Sequence, residues 1–282
     1  MGTSLRELTY RGRDLVRSYA ADEVRPRFRG AVLAPWPNRV PDGRWSWQGR
    51  PLQLPLTEPE AASALHGLVC WLDWSVVQAS EDSVTLAVAL TPQPGYPFAL
   101  DLAMTWRLSG RGLDASLRVV NTGTVPAPFG CGVHPYLVAG SGECVDDWML
   151  HLPADRWLPV DSQLRVSGPV EPLPRRVSFT TARRVGDVEI DNAYSGCAFR
   201  DGWCEVSVTD RHGWGSVIGF GEQTPWVQVH TSDRADEPDH HRRALAVEPM
   251  TCPPEALASG TDLVVLEPGE PFTVPWRIAQ TG

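Results

Sequence analysis

Lysine is absent from the 282 residues, so all 25 cationic side chains are arginines, set against 34 carboxylates for a formal charge of −9. An acidic, lysine-free surface is a poor match for phosphate backbones or anionic lipid, which sets nucleic-acid and membrane-surface binding aside. No apolar run reaches the ~18 residues a transmembrane helix needs, and the stretch from Met1 to Ala20 is too polar for a secretory signal. The chain is therefore expected in the cytoplasm. Six cysteines (Cys70, Cys131, Cys144, Cys197, Cys204, Cys252) include no CxxC pair. That argues against a structural zinc site and, in a reducing compartment, against disulfides; mostly buried thiols are expected. Long stretches of 3.6-residue periodicity, internal repeats and low-complexity linkers are missing too.

What is present is a soluble composition, 42% hydrophobic and 21% charged, punctuated by 26 prolines and 25 glycines. Phe98, Leu100, Leu102, Met104, Trp106 and Leu108 occupy alternate positions, the period of a strand with one buried face. Val84, Leu86, Val88 and Leu90 repeat the pattern before it. Ala115, Leu117 and Val119 repeat it after, up to the turn Asn121-Thr122-Gly123, so a β-meander is predicted. Near the C-terminus, Leu263 to Leu266, the turn Pro268-Gly269-Glu270 and the alternating Phe272, Val274, Trp276 and Ile278 predict a terminal hairpin. Short apolar runs between turn residues point to an all-β sandwich or barrel, and such folds often exceed 200 residues as one domain, so residues 1–282 are read as a single domain.

Five segments place polar groups in apolar or glycine-rich surroundings: 34–39, 64–68, 130–137, 189–192 and 245–250. Taken singly each is weak, because a lone buried His is more often a hydrogen-bonded core residue and an Asn-Arg pair in a loop is usually a solvated turn. Glu248 stands out. A carboxylate inside an apolar strand costs several kcal/mol unless it is paired or solvated in a cavity; a salt bridge to an arginine such as Arg39 is the bland explanation. Strand alternation would put Gln228 on one face with Trp226 and His230, and Glu248 opposite Val247, so Gln228 and Glu248 can line one cavity.

Pro-Trp-Pro-Asn-Arg at 35–39 with Asp42-Gly43-Arg44-Trp45, Leu-His-Gly at 65–67, Gly-x-His-Pro-Tyr at 132–136 and Val-Glu-Pro-Met-Thr-x-Pro-Pro-Glu-Ala-Leu at 247–257 resemble, in order and spacing, the signature blocks of the aldose 1-epimerase (galactose mutarotase) family. The resemblance implies an all-β fold, a large antiparallel β-sandwich of the galactose mutarotase-like supersandwich type, with a sugar in an open cleft across one sheet. It implies an isomerase that interconverts the α and β anomers of a hexopyranose. Glu248 would be the general base, His134 the general acid, and His66 an assisting donor near the ring oxygen. Asn38, Arg39, Tyr136, Asp191 and Gln228 would bind the sugar, with Asp187 and Asp201 as neighbouring alternatives to Asp191. Relatives usually carry one or two strands ahead of the block at 4–13, which implies either a start assigned too late at Met1 or a shortened chain whose edge strand is unpaired.

Anomerisation needs a base for the C1 hydroxyl proton and an acid for the ring oxygen, roles suited to a Glu and a His, and it involves no redox step. No cofactor or metal is expected. His66, His134 and Glu248 are legitimate ligand types, but no close His-x-His pairing supports a metal site, and His240-His241 reads as part of a solvated charged loop. Of the twelve tryptophans most are expected in the core, with Trp36 and Trp71 as candidates to flank the sugar ring. A non-catalytic sugar-binding module and a glycoside hydrolase using Asp191 and Glu248 are the competing functions. A neutral hexose such as glucose or galactose is the expected partner. A 6-phosphate or sulfonated hexose would need a cationic clamp, for which Arg44, Arg200 and Arg234 are candidates; alternation leaves the oligomeric state open.

Overall fold

The computed structural model describes residues 2–140 and 144–281. Two large antiparallel sheets hold most of the strand residues. The first has nine strands in the spatial order Arg183–Arg184, Met149–His151, Trp203–Thr209, Gly215–Gly221, Pro271–Gln280, Gly112–Asn121, Leu100–Ser109, Ser83–Leu90 and Ser75–Ala79. The meander expected from the alternation is there: Leu100 pairs with both Leu90 and Asn121, and the ladder runs without a slip to Ser109 opposite Gly112.

The inner face of this sheet is filled by interdigitating large and small side chains. One row across it reads Cys204, Phe220, Trp276, Ala115, Trp106 and Val84. Ala115 separates two indoles, which a larger residue there would push out of register. Leu100, Leu102, Met104, Leu117, Val119, Val206, Val208, Ile218, Val274 and Trp276 are all buried in one apolar core that also takes in residues from Leu15 to Ile278.

The predicted C-terminal hairpin is not formed. Val264–Leu266 pairs instead with Ala127–Phe129, while Pro271–Gln280 inserts between Gly112–Asn121 and Gly215–Gly221. The turn at Pro268-Gly269 redirects the chain from one pairing to another, and a local alternation pattern carries no information about which neighbour a strand will find.

The second sheet runs Glu171–Pro172, Ala154–Trp157, Asp191–Cys197, Trp226–His230, Leu245–Met250, Gly132–Val133 and Val32–Leu33, with Tyr136–Leu137 also paired to Leu245–Met250. Val227, Val229, Leu245 and Val247 face the core. Alternation therefore turns Gln228, His230, Ala246 and Glu248 to the opposite face, where the cleft lies. Four cysteines are buried and Cys144 and Cys197 are half-buried, all as thiols. Among the described residues no helix is long and apolar enough to cross a membrane.

Candidate active site

Register builds the floor of the cleft as a grid. In one row Asp191 pairs with His230, His230 with Ala246, and Ala246 with Tyr136. In the next row Ala193 pairs with Gln228, and Gln228 with Glu248. The rows lie about 7 Å apart, two residues along each strand. The cleft above them has a volume of about 160 Å³. It opens past Arg39, Asp191, His230 and Arg234 into an outer hollow of about 540 Å³.

His134 reaches this floor because the chain between Gly132–Val133 and Tyr136–Leu137 is pinned on both sides: its N–H donates to Ala31 O at 3.0 Å and its carbonyl accepts from Gly30 N at 2.8 Å. Gly132 is required for that close approach, since a Cβ there would lie 2.8 Å from Pro249 O. The His134 Nε2 sits 3.3 Å from Glu248 Oε1, and Tyr136 stacks on the imidazole at 5.2 Å. The alternative partner for Glu248 is excluded: Arg39 forms a two-point bond with Glu58, Nε to Oε2 at 2.6 Å and Nη2 to Oε1 at 2.7 Å.

His66 and Asn38 are locked to each other. Both have left-handed φ, 60° and 56°; the His66 N–H donates to Asn38 O at 3.0 Å, and the Asn38 N–H donates to His66 Nδ1 at 3.2 Å. Gly67 follows because its φ is +77° and a Cβ would lie 2.1 Å from Ala34 O. With Nδ1 accepting, the proton of a neutral His66 sits on Nε2. Burial, then His134 and Arg39, hold its pKa well below the ordinary value, so His66 is a neutral donor.

Burial also sets the central pair. Glu248 is pushed well above the carboxylate range by desolvation and then by the negative charge of Asp191, against the pull of Arg39. His134 is lowered to about 3 by desolvation and then by His230. Burial therefore favours the uncharged pair, carboxylic acid and neutral imidazole, sharing one proton.

Nine side-chain polar atoms among the described residues are buried without a hydrogen-bond partner, and four of them belong to the cleft floor: His134 Nδ1, Gln228 Oε1, His230 Nδ1 and Glu248 Oε2. Each such group costs about 1–3 kcal/mol. Three of the four belong to residues that line the cleft, His134, His230 and Glu248, and a polar ligand there would complete them. Ligand atoms of His66, His134 and Glu248 lie within 4.8 Å of one another, but a cation would have to take Nδ1 of His66 from Asn38 or strip the proton from Nε2. The set fits proton transfer better than metal binding.

Asn38, Arg39, His66, His134, Tyr136, Asp191 and Glu248, expected from sequence, all line the cleft. Gln228 lies beneath it and donates to Asp191 Oδ1 at 2.7 Å. Trp36 is corrected to the core: it is 2% exposed, packs on Tyr96 and donates to Ala64 O. Trp71 is exposed and meets Phe28 edge-on at 5.9 Å; Phe28 in turn meets His66 at 4.7 Å, which puts Trp71 one ring outside the wall. Of the three candidate clamps, Arg234 lines the cleft, while Arg44 and Arg200 are exposed elsewhere. The His240-His241 segment is not merely solvated. His240 Nδ1 contacts Arg29 Nη2 at 3.2 Å, and His241 Nδ1 accepts from the Arg234 N–H at 2.8 Å.

Phe28, Glu58 and His230 are lining residues that sequence reasoning did not select. Only His230 left a signal, as the residue two beyond Gln228 on one strand face.

Stacked antiparallel sheets with a cleft floored by a buried carboxyl–imidazole pair define a β-sandwich protein with a polar cleft. The chain belongs to the aldose 1-epimerase family, whose model matches residues 1–279. It is 36% identical over 279 residues to the uncharacterised Escherichia coli protein YihR, covering 99% of this chain and 87% of that one. Rat galactose mutarotase is 30% identical over 157 residues, 54% of this chain and 44% of that protein. The structure of galactose 1-epimerase from Lactobacillus acidophilus superposes with a TM-score of 0.82 at 18% identity, over 100% of this chain and 90% of that one.

Proposed function

We propose that the protein interconverts the α and β anomers of a neutral hexopyranose. The observation that carries this reading is the buried His134–Glu248 pair, 3.3 Å apart in the cleft floor, able to take one proton from substrate and return another at an adjacent atom.

Glu248 accepts the C1 hydroxyl proton as the bond from C1 to the ring oxygen breaks. The electron pair of that bond goes to the ring oxygen, which takes a proton from imidazolium His134, while C1 and its oxygen become a carbonyl. Rotation about C1–C2 and the reverse transfers close the ring on the other face. The ionised pair that starts this sequence is the less favoured state in an apolar site, so its carboxylate is a strong base and its imidazolium a strong acid. His66 donates from Nε2, and Asp191, steadied by Gln228, accepts from a sugar hydroxyl. A neutral sugar is favoured because Arg39 is already paired with Glu58 and Arg27 with Glu237, and Glu58, Glu60 and Asp191 line the same cleft.

Polarimetry of freshly dissolved α-D-glucose and α-D-galactose tests the reading. Acceleration by the parent protein is expected, with losses of about 10² to 10⁴ in Glu248→Gln and in His134→Ala. The losses should not add in the double variant, because the two groups act as one unit. No acceleration with either sugar would sink the neutral-hexose reading. Acceleration confined to a 6-phosphate or 6-sulfonate would move the substrate class to anionic sugars, with Arg234 as the cation that meets them.

A further inference from the structure

We infer that His230 is a substrate-binding residue that, with Asp191, holds a hydroxyl of the sugar other than the one on C1. The inference rests on the reading above and adds to it a residue and a subsite.

Three observations carry it. First, the register sets His230 in the middle of the floor, opposite Asp191 on one side and Ala246 on the other. The methyl group of Ala246 leaves space between the His230 and Tyr136 rings, and all three of Asp191, His230 and Tyr136 line the cleft. Second, His230 Nδ1 is buried with no hydrogen-bond partner and lies 3.7 Å from Asp191 Oδ2, too far for a bond. A buried ring nitrogen facing a partly exposed carboxylate oxygen across a gap slightly too wide is completed either by a small approach or by a third group between them. Third, the other oxygen of Asp191 is fixed by Gln228 Nε2 at 2.7 Å, so the carboxylate cannot swing to close the gap without losing that bond.

The geometry places this unfinished pair one row, about 7 Å, from Glu248. A pyranose whose anomeric carbon sits over His134 and Glu248 therefore presents a more distant hydroxyl to Asp191 and His230. Such a hydroxyl can donate to the carboxylate and bond the imidazole at once. The charged and titratable groups around His230 are Asp191 on the adjacent strand, Tyr136 and His134 across Ala246, Glu248 on Leu245–Met250, and Arg39 and Arg234 on the walls.

The test pairs variants with altered substrates. Turnover by polarimetry and binding by calorimetry are measured for the parent protein, His230→Phe and His230→Gln, using the parent hexose and its 2-, 3-, 4- and 6-deoxy analogues. Expected for His230→Phe is a KM raised about tenfold or more with kcat changed much less, partly restored in His230→Gln. The penalty should vanish for the one analogue lacking the bound hydroxyl, because nothing remains for His230 to hold. An equal penalty for every analogue, or none for any, overturns the inference while leaving anomer interconversion standing. Sugar binding that depends on His230 without any turnover would overturn the enzymatic reading and leave the subsite intact. Absence of both binding and turnover would overturn both.

Discussion

Glu248 is 2% exposed and carries an oxygen with no partner, so its ionisation is a cost that the folded state bears and the unfolded chain does not. Its folded pKa is raised, above all by burial and next by Asp191. The stability it contributes is therefore fully present below the unfolded value of about 4.5 and is lost as pH rises through the folded value. Glutamine cannot ionise. The melting temperature of Glu248→Gln relative to the parent is expected to increase from pH 5 to pH 8, as read by calorimetry or circular dichroism; a constant difference would mean that Glu248 is already ionised in the folded protein across this interval. His134 has the opposite sign. With its pKa lowered to about 3 by burial and next by His230, it protonates more easily in the unfolded chain, so in isolation it favours the folded state less as pH falls through 6.5. Rate follows the same groups. Under the proposed mechanism one proton is needed on the pair, so kcat/KM should fall on the alkaline side as the raised carboxyl loses it and on the acid side only near pH 3. At this scale the sequence was informative: an acidic residue in an apolar strand is legible as a cost that demands a reason, and its motif neighbours supplied one. It was silent on Glu58 and Phe28, whose roles depend on which distant side chain each faces.

At the scale of elements, the residues 232–243 illustrate how a polar segment can be structural. Arg242 is buried and binds Asp146, Asp233 and the carbonyls of Gly186 and Val188. From that anchor the segment sends Arg234 into the cleft, pairs Glu237 with Arg27 and sets His240 against Arg29. Residues 27 and 28 line the cleft, so this segment fixes one wall. Arg242→Ala takes one donor from each of two carbonyls and two carboxylates and is expected to cost about 3 kcal/mol in denaturant unfolding. Faster hydrogen exchange over 25–29 and 232–243, with KM raised more than kcat falls, is the expected local signature. Exchange unchanged in 25–29 would show that the wall stands without the segment. Sequence patterning could not show this, because charged residues in a loop look alike whether they are solvated or bound.

Across the whole molecule, the last strand completes the middle of the nine-stranded sheet. Pro271–Gln280 joins two halves of the nine-stranded sheet, Gly215–Gly221 on one side and Gly112–Asn121 on the other, and its Trp276 is 2% exposed in the core. Trp276→Ala removes an indole from the row shared with Phe220 and Ala115 and is expected to cost about 3–5 kcal/mol. Because the nine-stranded sheet backs the cleft sheet through one core, the loss should lower a single cooperative unfolding transition rather than melt one end first. Two resolved transitions in calorimetry would overturn that picture.

The amino-acid sequence by itself determined the class of fold, the meander from Ser83 to Asn121, the faces of the strands carrying Gln228 and Glu248, and most of the side chains that line the cleft. Those properties follow from a two-residue period and from short motifs, both of which are local. Tertiary structure alone decided that Pro271–Gln280 forms no hairpin, that Trp36 belongs to the core and Trp71 to the surface, that Arg39 binds Glu58 rather than Glu248, and that His230 stands between Asp191 and Tyr136. Each of these depends on which strand or side chain lies opposite. Pairing is set by packing of the whole core, where many residues far apart in the chain contribute at once.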